Sequence, residues 1–330
     1  MYLRKIMILC IITCILMLSG CSSIDNSMQN NTRISIVTTV FPPYDFAKHI
    51  VGETEGVSVT QILKPGMESH TFDPSPADML SVQNCDVFIY TGGESDEWVN
   101  TILKSIENSD MIVIKMMDIV DTLTEKEELH DDMHEHEYEY DNSLFLYDEH
   151  VWTSPINAMI LVEHIADVLC DLDPSNADTY QENSRLYLSD LTALDILLKS
   201  ITSTAVRDTI VFGDRFPFRY LCDAYGICYR SAFPGCATET EPSAAVMAEL
   251  IDYIKQNSIP LVFTIEMSNG RVAQAIAEET DAGIAVMHSC HNRTADEYQR
   301  DVSYLELMYQ NAEALSIALG SDQSKGAKTE

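Results

Sequence analysis

Tyr180, Tyr187, Leu191, Leu194, Leu198 and Ile201 follow one another at steps of seven, four, three, four and three. That spacing puts all six on one face of a helix of about seven turns. A preceding amphipathic segment, Asn157 to Cys170, closes at Asp173-Pro174, and Ser175 stands where the next helix expects an N-cap. A hinge of extended strands would need glycines or extended segments here, and residues 174–204 offer neither. The stripe therefore predicts a stiff strut, so whatever lies on its two sides must be held at a nearly fixed distance.

Both sides carry the same rhythm. Ile34 to Val40, Val57 to Leu63, Val87 to Tyr90 and Met111 to Lys115 are short apolar runs of strand character, separated by helical patterns such as Pro76 to Val82 and Trp98 to Ile106. After the strut come strand-like runs near Thr209 to Phe212, Ile227 to Tyr229, Leu261 to Ile265 and Ile284 to Met287, each followed by a helical pattern. The expected fold is α/β, with two βα-repeat lobes built on mainly parallel sheets and joined by a long rigid helix. The lobes are expected over 33–173 and 205–320, with the helix at 174–204 and a disordered tail at 321–330.

Arg4 and Lys5 precede an apolar run from Ile6 to Leu18. This is the layout of a secretory signal, and it is short for a membrane span. Leu18-Ser19-Gly20-Cys21 resembles the bacterial lipoprotein signal, which implies a signal peptide over 1–20 and lipid on Cys21. The Ser/Asn/Gln-rich residues up to 32 read as a flexible tether. The folded part is thus expected outside the cytoplasm, anchored to the cell membrane.

Removing residues 1–20 leaves 18 basic against 52 acidic residues, a net charge of −34. Such a field repels nucleic acid and anionic lipid and concentrates cations, and no basic patch offsets it. Six cysteines remain beyond Cys21, namely Cys85, Cys170, Cys222, Cys228, Cys236 and Cys290. None forms a C-x-x-C pair, so a zinc ribbon is not expected. The compartment permits disulfides, with Cys236 and Cys290 as the favoured bridge or thiol pair and free buried thiols as the alternative.

The polar candidates gather where open parallel sheets bind ligands, beyond the carboxyl ends of their strands. His70 ends Lys64-Pro65-Gly66-Met67-Glu68-Ser69-His70, and His150 lies in Asp148-Glu149-His150-Val151-Trp152-Thr153-Ser154-Pro155. Asp214, Glu239, Glu241, Glu266 and His288 all follow second-lobe strands. Imidazoles on short rigid loops are the makings of a tetrahedral metal site. Glu241 before Pro242 reads better as a helix cap, and Asp214 with Arg215 as either a site or an ion pair. Glu266 reads as a carboxylate that accepts a bond from a ligand imidazole. Residues 125–141 hold His130, His134 and His136 among nine acids and one lysine. They read as a mobile loop that either captures zinc weakly or is a solvated charge run.

Pro65-Gly66-x-x-x-His70, Asp73-Pro74-Ser75-Pro76, the Asp148 to Pro155 phrase, the long helix and Glu241-Pro242-Ser243 together resemble the zinc/manganese solute-binding lipoproteins of metal ABC importers, of the zinc type. The resemblance runs from Arg33 to about Leu319. It implies one divalent ion held between two lobes by four loop residues and released to a membrane permease, by a protein expected to be monomeric. His70 and His150 carry over as first-lobe ligands. The family's second-lobe position after the first strand falls on Gly213, which has no ligating side chain, while His288 takes the place of the final ligand. The expected site is therefore His70, His150 and His288, completed by Glu239, or else by Asp214 or a water. Three nitrogens favour zinc while leaving manganese open.

Binding without chemistry is the expected activity. A surface zinc metallohydrolase is the first alternative, with Glu239, Glu241 or Glu266 as a base, but no H-E-x-x-H occurs. A metal-binding adhesin on the same scaffold is the second.

Overall fold

The computed structural model describes residues 34–106, 108, 110–124, 147–233 and 241–321. The signal and tether, Cys21, the 125–141 loop, Cys236 and Glu239 fall outside the described residues.

The first sheet contains β1 (Ile34–Thr38), β2 (Val57–Gln61), β3 (Val87–Tyr90) and β4 (Ile112–Lys115) in the order β2-β1-β3-β4. The second contains β5 (Thr209–Phe212), β6 (Cys228–Ser231), β7 (Leu261–Thr264) and β8 (Gly283–Val286) in the order β6-β5-β7-β8. Every pairing is parallel. The two lobes therefore repeat one topology, and each sends its strand ends toward the same side. Around the first sheet lie α1 (Phe41–Val51), α2 (Pro76–Gln83) and α3 (Glu97–Ser105). Then come α4 (Pro155–Leu172), α5 (Ala177–Thr204), α6 (Arg219–Tyr225), α7 (Ala244–Asn257), α8 (Arg271–Glu278), α9 (Ala295–Gln299) and α10 (Tyr304–Leu319).

The central strands β1, β3, β5 and β7 are mostly buried, as parallel strands covered on both faces must be. β8 is an edge strand with Gly283, Ile284 and Val286 exposed. Strand boundaries match the sequence patterns to within one or two residues. The apolar runs overshoot because Val40, Ile62 and Leu63, though buried, lie in the turns that leave the sheet.

The strut is α5, whose 28 residues extend about 42 Å at the helical rise. Its six stripe residues are all buried. It packs on α1 and α4 of the first lobe and on α10 of the second. One hydrophobic core runs through it from Ile36 and Phe46 to Phe263, Met287 and Tyr304. The helix starts one residue later than predicted, with Asn176 at the N-cap. The Ser175 hydroxyl and the Asn176 amide both donate to Asp173, at 2.6 and 2.7 Å, and the Asn176 side chain makes no cap bond to the helix. Among the described residues, no helix is long and apolar enough to cross a membrane.

Because α5 is a core element, Leu191→Ala should lower unfolding free energy by about 2–5 kcal/mol. Ile196→Ala on the same helix, at a side chain 62% exposed, should change it by less than about 0.5 kcal/mol. Urea denaturation of the two variants measures the difference, and equal effects would mean that α5 does not carry the shared core.

Candidate metal centre

The loop after β2 carries His70. Gly66 takes a left-handed φ of 79°, which lets the chain reverse after Pro65. Asn292, next to the second-lobe loop's His291, holds that turn in place. Its amide donates to the carbonyls of Lys64 (2.6 Å) and Met67 (3.0 Å), and its oxygen accepts from Gln61 Nε2 at 3.0 Å. Gly66 N–H also donates to Arg293 O at 2.7 Å. The two lobes are thus bonded to each other directly beside His70.

His150 precedes a short 3-10 turn, Val151–Thr153. Asp148 Oδ1 accepts from His150 N at 2.8 Å and meets its Nδ1 at 2.7 Å, which fixes the ring. Tyr220 of α6 in turn donates to Asp148 O at 2.7 Å. The Trp152 indole donates to Ser289 O at 2.8 Å, again joining first-lobe loop to second-lobe loop.

These constraints bring four side chains together. His70, Glu149, His150 and His291 each offer a ligand-type atom, all within 4.8 Å of one another, and Glu149, His150 and His291 are buried. The ring centroids lie 4.4 Å (His150–His291), 5.2 Å (His70–His291) and 6.1 Å (His70–His150) apart. His291 Nε2 makes no hydrogen bond and comes no nearer than 3.7 Å to Glu149 Oε1. Among the described residues this is the one such group of His, Cys, Asp and Glu side chains.

Electrostatics suit a cation. Burial, and then repulsion from the His291 ring, lowers His70 to about 4. Burial and the His150 ring likewise lower His291. Burial pushes the Glu149 carboxyl up, but the neighbouring His291, 3.7 Å away, together with His150 and His70 outweighs that and holds it well below the usual carboxylate range. The cluster thus holds one carboxylate beside His70 and His291 rings that resist protonation, and such a set accepts a divalent ion more readily than several protons.

His288, expected as the third ligand, is not brought into this group. Its Nδ1 accepts from Cys290 N–H at 2.9 Å, and its Nε2 lies 3.3 Å from Glu297, the carboxylate that closes the capping box of α9. Both ring nitrogens are spent inside the second-lobe loop. Cys290 has φ of 62°, an unusual turn for a non-glycine residue, and the chain reverses there so that His291 faces the cleft.

Asp214 is also held elsewhere. It accepts from Arg215 N (2.8 Å), Thr264 Oγ1 (2.5 Å) and Ile265 N (3.4 Å), tying β5 to β7. Arg215 pairs with Glu68 across the cleft at 3.1 Å, so the expected Asp214–Arg215 side-chain ion pair is replaced by an interlobe one. Gly213 is dictated by packing, since a Cβ there would collide with the backbone of Ala273 in α8. Glu266 accepts from Ser289 N at 2.7 Å and from its hydroxyl, rather than from a ligand imidazole. Cys290 is a free buried thiol. Residue-type reasoning missed Glu149, inside the Asp148 to Pro155 phrase, and His291, three residues after His288.

The family model described as ZnuA, zinc-uptake complex component A periplasmic, matches residues 36–318. The chain is 31% identical over 313 residues to the zinc-binding lipoprotein AdcA of Streptococcus pneumoniae, covering 95% of this chain and 60% of that protein. The chain therefore spans about 60% of AdcA's length. It is 27% identical over 312 residues to the high-affinity zinc uptake system protein ZnuA of Bacillus subtilis, covering 94% and 96% of the two chains. The crystal structure of the Zn(II)-bound ZnuA-like domain of S. pneumoniae AdcA superposes with a TM-score of 0.69 at 27% identity, over 87% of this chain and 98% of that one.

Two measurements check this geometry without any metal. NMR titration of the metal-free protein should leave His70 neutral on acidification from pH 7 to 5 and charge it only near pH 4, because burial and neighbouring rings disfavour the imidazolium. An ordinary value near 6.5 would mean the cluster is open to water. Asn292→Ala should cost about 1–3 kcal/mol by removing the hydrogen bonds that a buried carboxamide makes to Lys64 O, Met67 O and Gln61 Nε2. Chemical denaturation reads this, and an unchanged stability would show that the lobes do not depend on that bond.

Proposed function

From the chain's membership of the ZnuA family of zinc-uptake components, and from the cluster at the lobe junction, we propose that this protein captures zinc outside the cytoplasm and delivers it to the permease of an ABC importer. Lipid on Cys21 would keep it at the membrane surface. The observation that carries the reading is the convergence of His70, His150, His291 and Glu149 within 4.8 Å across two lobes. Three imidazole nitrogens and one carboxylate oxygen are a donor set that suits zinc better than manganese, which prefers more oxygen ligands.

In this reading the four side chains replace the ion's water shell and no bond is made or broken in the protein. The ion is cargo. The acidic surface raises the local cation concentration, and the bonds joining the two lobes keep the donors in place before the ion arrives. A preformed site held by a rigid helix favours small loop movements over wide hinge closure on capture and release. Zinc-binding relatives support the assignment of the metal, and the lipoprotein relatives support the location.

Isothermal calorimetry with a competing chelator tests the ligand set. His70→Ala, His150→Ala and His291→Ala should each weaken zinc by orders of magnitude, and manganese should bind the unaltered protein more weakly than zinc. His288→Gln should retain affinity much closer to the parent, because that ring is engaged by Cys290 and Glu297. Loss of binding in folded His288→Gln, together with retention in His291→Ala, would overturn the assignment.

A further inference from the structure

Ser95 and Ser289, one in each lobe, make the same connection, and neither belongs to the donor cluster. Ser95 gives its N–H to Glu149 Oε2 at 3.0 Å and its hydroxyl to Glu149 Oε1, while its Oγ lies 2.9 Å from His70 Nδ1. Ser289 gives its N–H to Glu266 Oε2 at 2.7 Å and its hydroxyl to Glu266 Oε1, while its Oγ lies 3.3 Å from His291 Nδ1. Each serine thus grips both oxygens of one glutamate and touches one imidazole of the cluster.

A serine hydroxyl has a single proton, and an ionised carboxylate can only accept. With that proton committed to the glutamate, the serine oxygen meets the imidazole as an acceptor. Nδ1 must then carry the ring proton, and Nε2 keeps its lone pair. His291 fits this requirement, since its Nε2 is buried and makes no hydrogen bond. His150 reaches the same state by a shorter route, with Nδ1 at 2.7 Å from Asp148 Oδ1.

We infer that Ser95 and Ser289 are paired positioning residues that hold His70 and His291 in the Nδ1–H tautomer, so that both rings offer Nε2 to the captured cation. A neutral imidazole otherwise exchanges between two tautomers, and the wrong one presents a proton where the ion needs a lone pair. The serines themselves are fixed. Ser95 lies beside Asp96, which accepts from Thr91 N at 2.7 Å, Gly92 N at 3.3 Å and Thr39 Oγ1 at 3.3 Å. Ser289 is anchored through its carbonyl to the Trp152 indole. The inference rests on the zinc site proposed above and adds to it what sets the protonation of two of its ligands.

The test uses the whole chain with 15N-labelled histidine. In the metal-free parent at neutral pH, long-range 15N–1H spectra should show His70 and His291 in the Nδ1–H form. Ser95→Ala should let His70 populate both tautomers, and Ser289→Ala should do the same to His291. Each should weaken zinc about 10- to 100-fold, the usual cost of losing a partner of a metal-bound histidine. Ser95→Thr and Ser289→Thr, which keep the hydroxyl, should restore both the tautomer and most of the affinity, a rescue that a purely structural role would not give. An Nε2–H form in the parent, unchanged tautomers in the alanine variants, or threonine variants that fall as far as alanine would each overturn the inference. The parent spectrum needs no variant, so misfolding cannot mask the outcome. Failure of the zinc site itself has a different signature: zinc affinity unchanged in His70→Ala while the tautomers remain as stated.

Discussion

The carboxamide of Asn292 is the contact on which the site's geometry depends. It is completely buried, and it spends both amide hydrogens on first-lobe carbonyls and its oxygen on Gln61 Nε2 and Arg293 N. No other residue type of this size offers two donors and an acceptor in one plane. Because His291 precedes it and the bonded loop ends in His70, this one side chain fixes rings from different lobes at a centroid distance of 5.2 Å. The net stability from such bonds is modest, yet breaking them leaves the buried carboxamide without partners. Their larger contribution is specificity of register between the lobes.

α5 makes that register affordable. A helix buried along its whole inner face and packed against α1, α4 and α10 removes the relative freedom that two lobes on a flexible linker would have. The entropy of bringing four donors together is thereby met during folding rather than at ion capture. The serine, aspartate and tyrosine contacts around the cluster then act on rings whose backbone positions are already set.

Much of this was legible in the residues. The period-3.6 stripe of α5 and the β-branched runs of both sheets express simple burial, so they appear wherever a core must be filled. His70 and His150 sit in phrases whose Pro-Gly turn and Asp-Glu-His run restrict the backbone locally. His291 was not legible in the same way. It lies three residues after His288, and the choice between them depends on the left-handed turn at Cys290, a conformation that cysteine's type does not announce. Glu149 was hidden for another reason: its role comes from Ser95, 54 residues earlier, which no local pattern connects to it.

The second lobe repeats the first in strand order yet contributes differently to the cluster. At the end of β5, the strand that takes the place of β1 in the sheet order, the backbone of Ala273 leaves no room for a side chain on Gly213. Asp214 is taken by Thr264 and Ile265, and Arg215 turns to Glu68 rather than into the cluster. Packing of α8 on the sheet thus forbids a side-chain donor at Gly213, and Arg215 pairs with the glutamate two residues before His70. With β5 closed off, the lobe can supply a donor from beyond β8, where the chain reverses at Cys290. His291 occupies that position, and three of the four clustered side chains come from the first lobe.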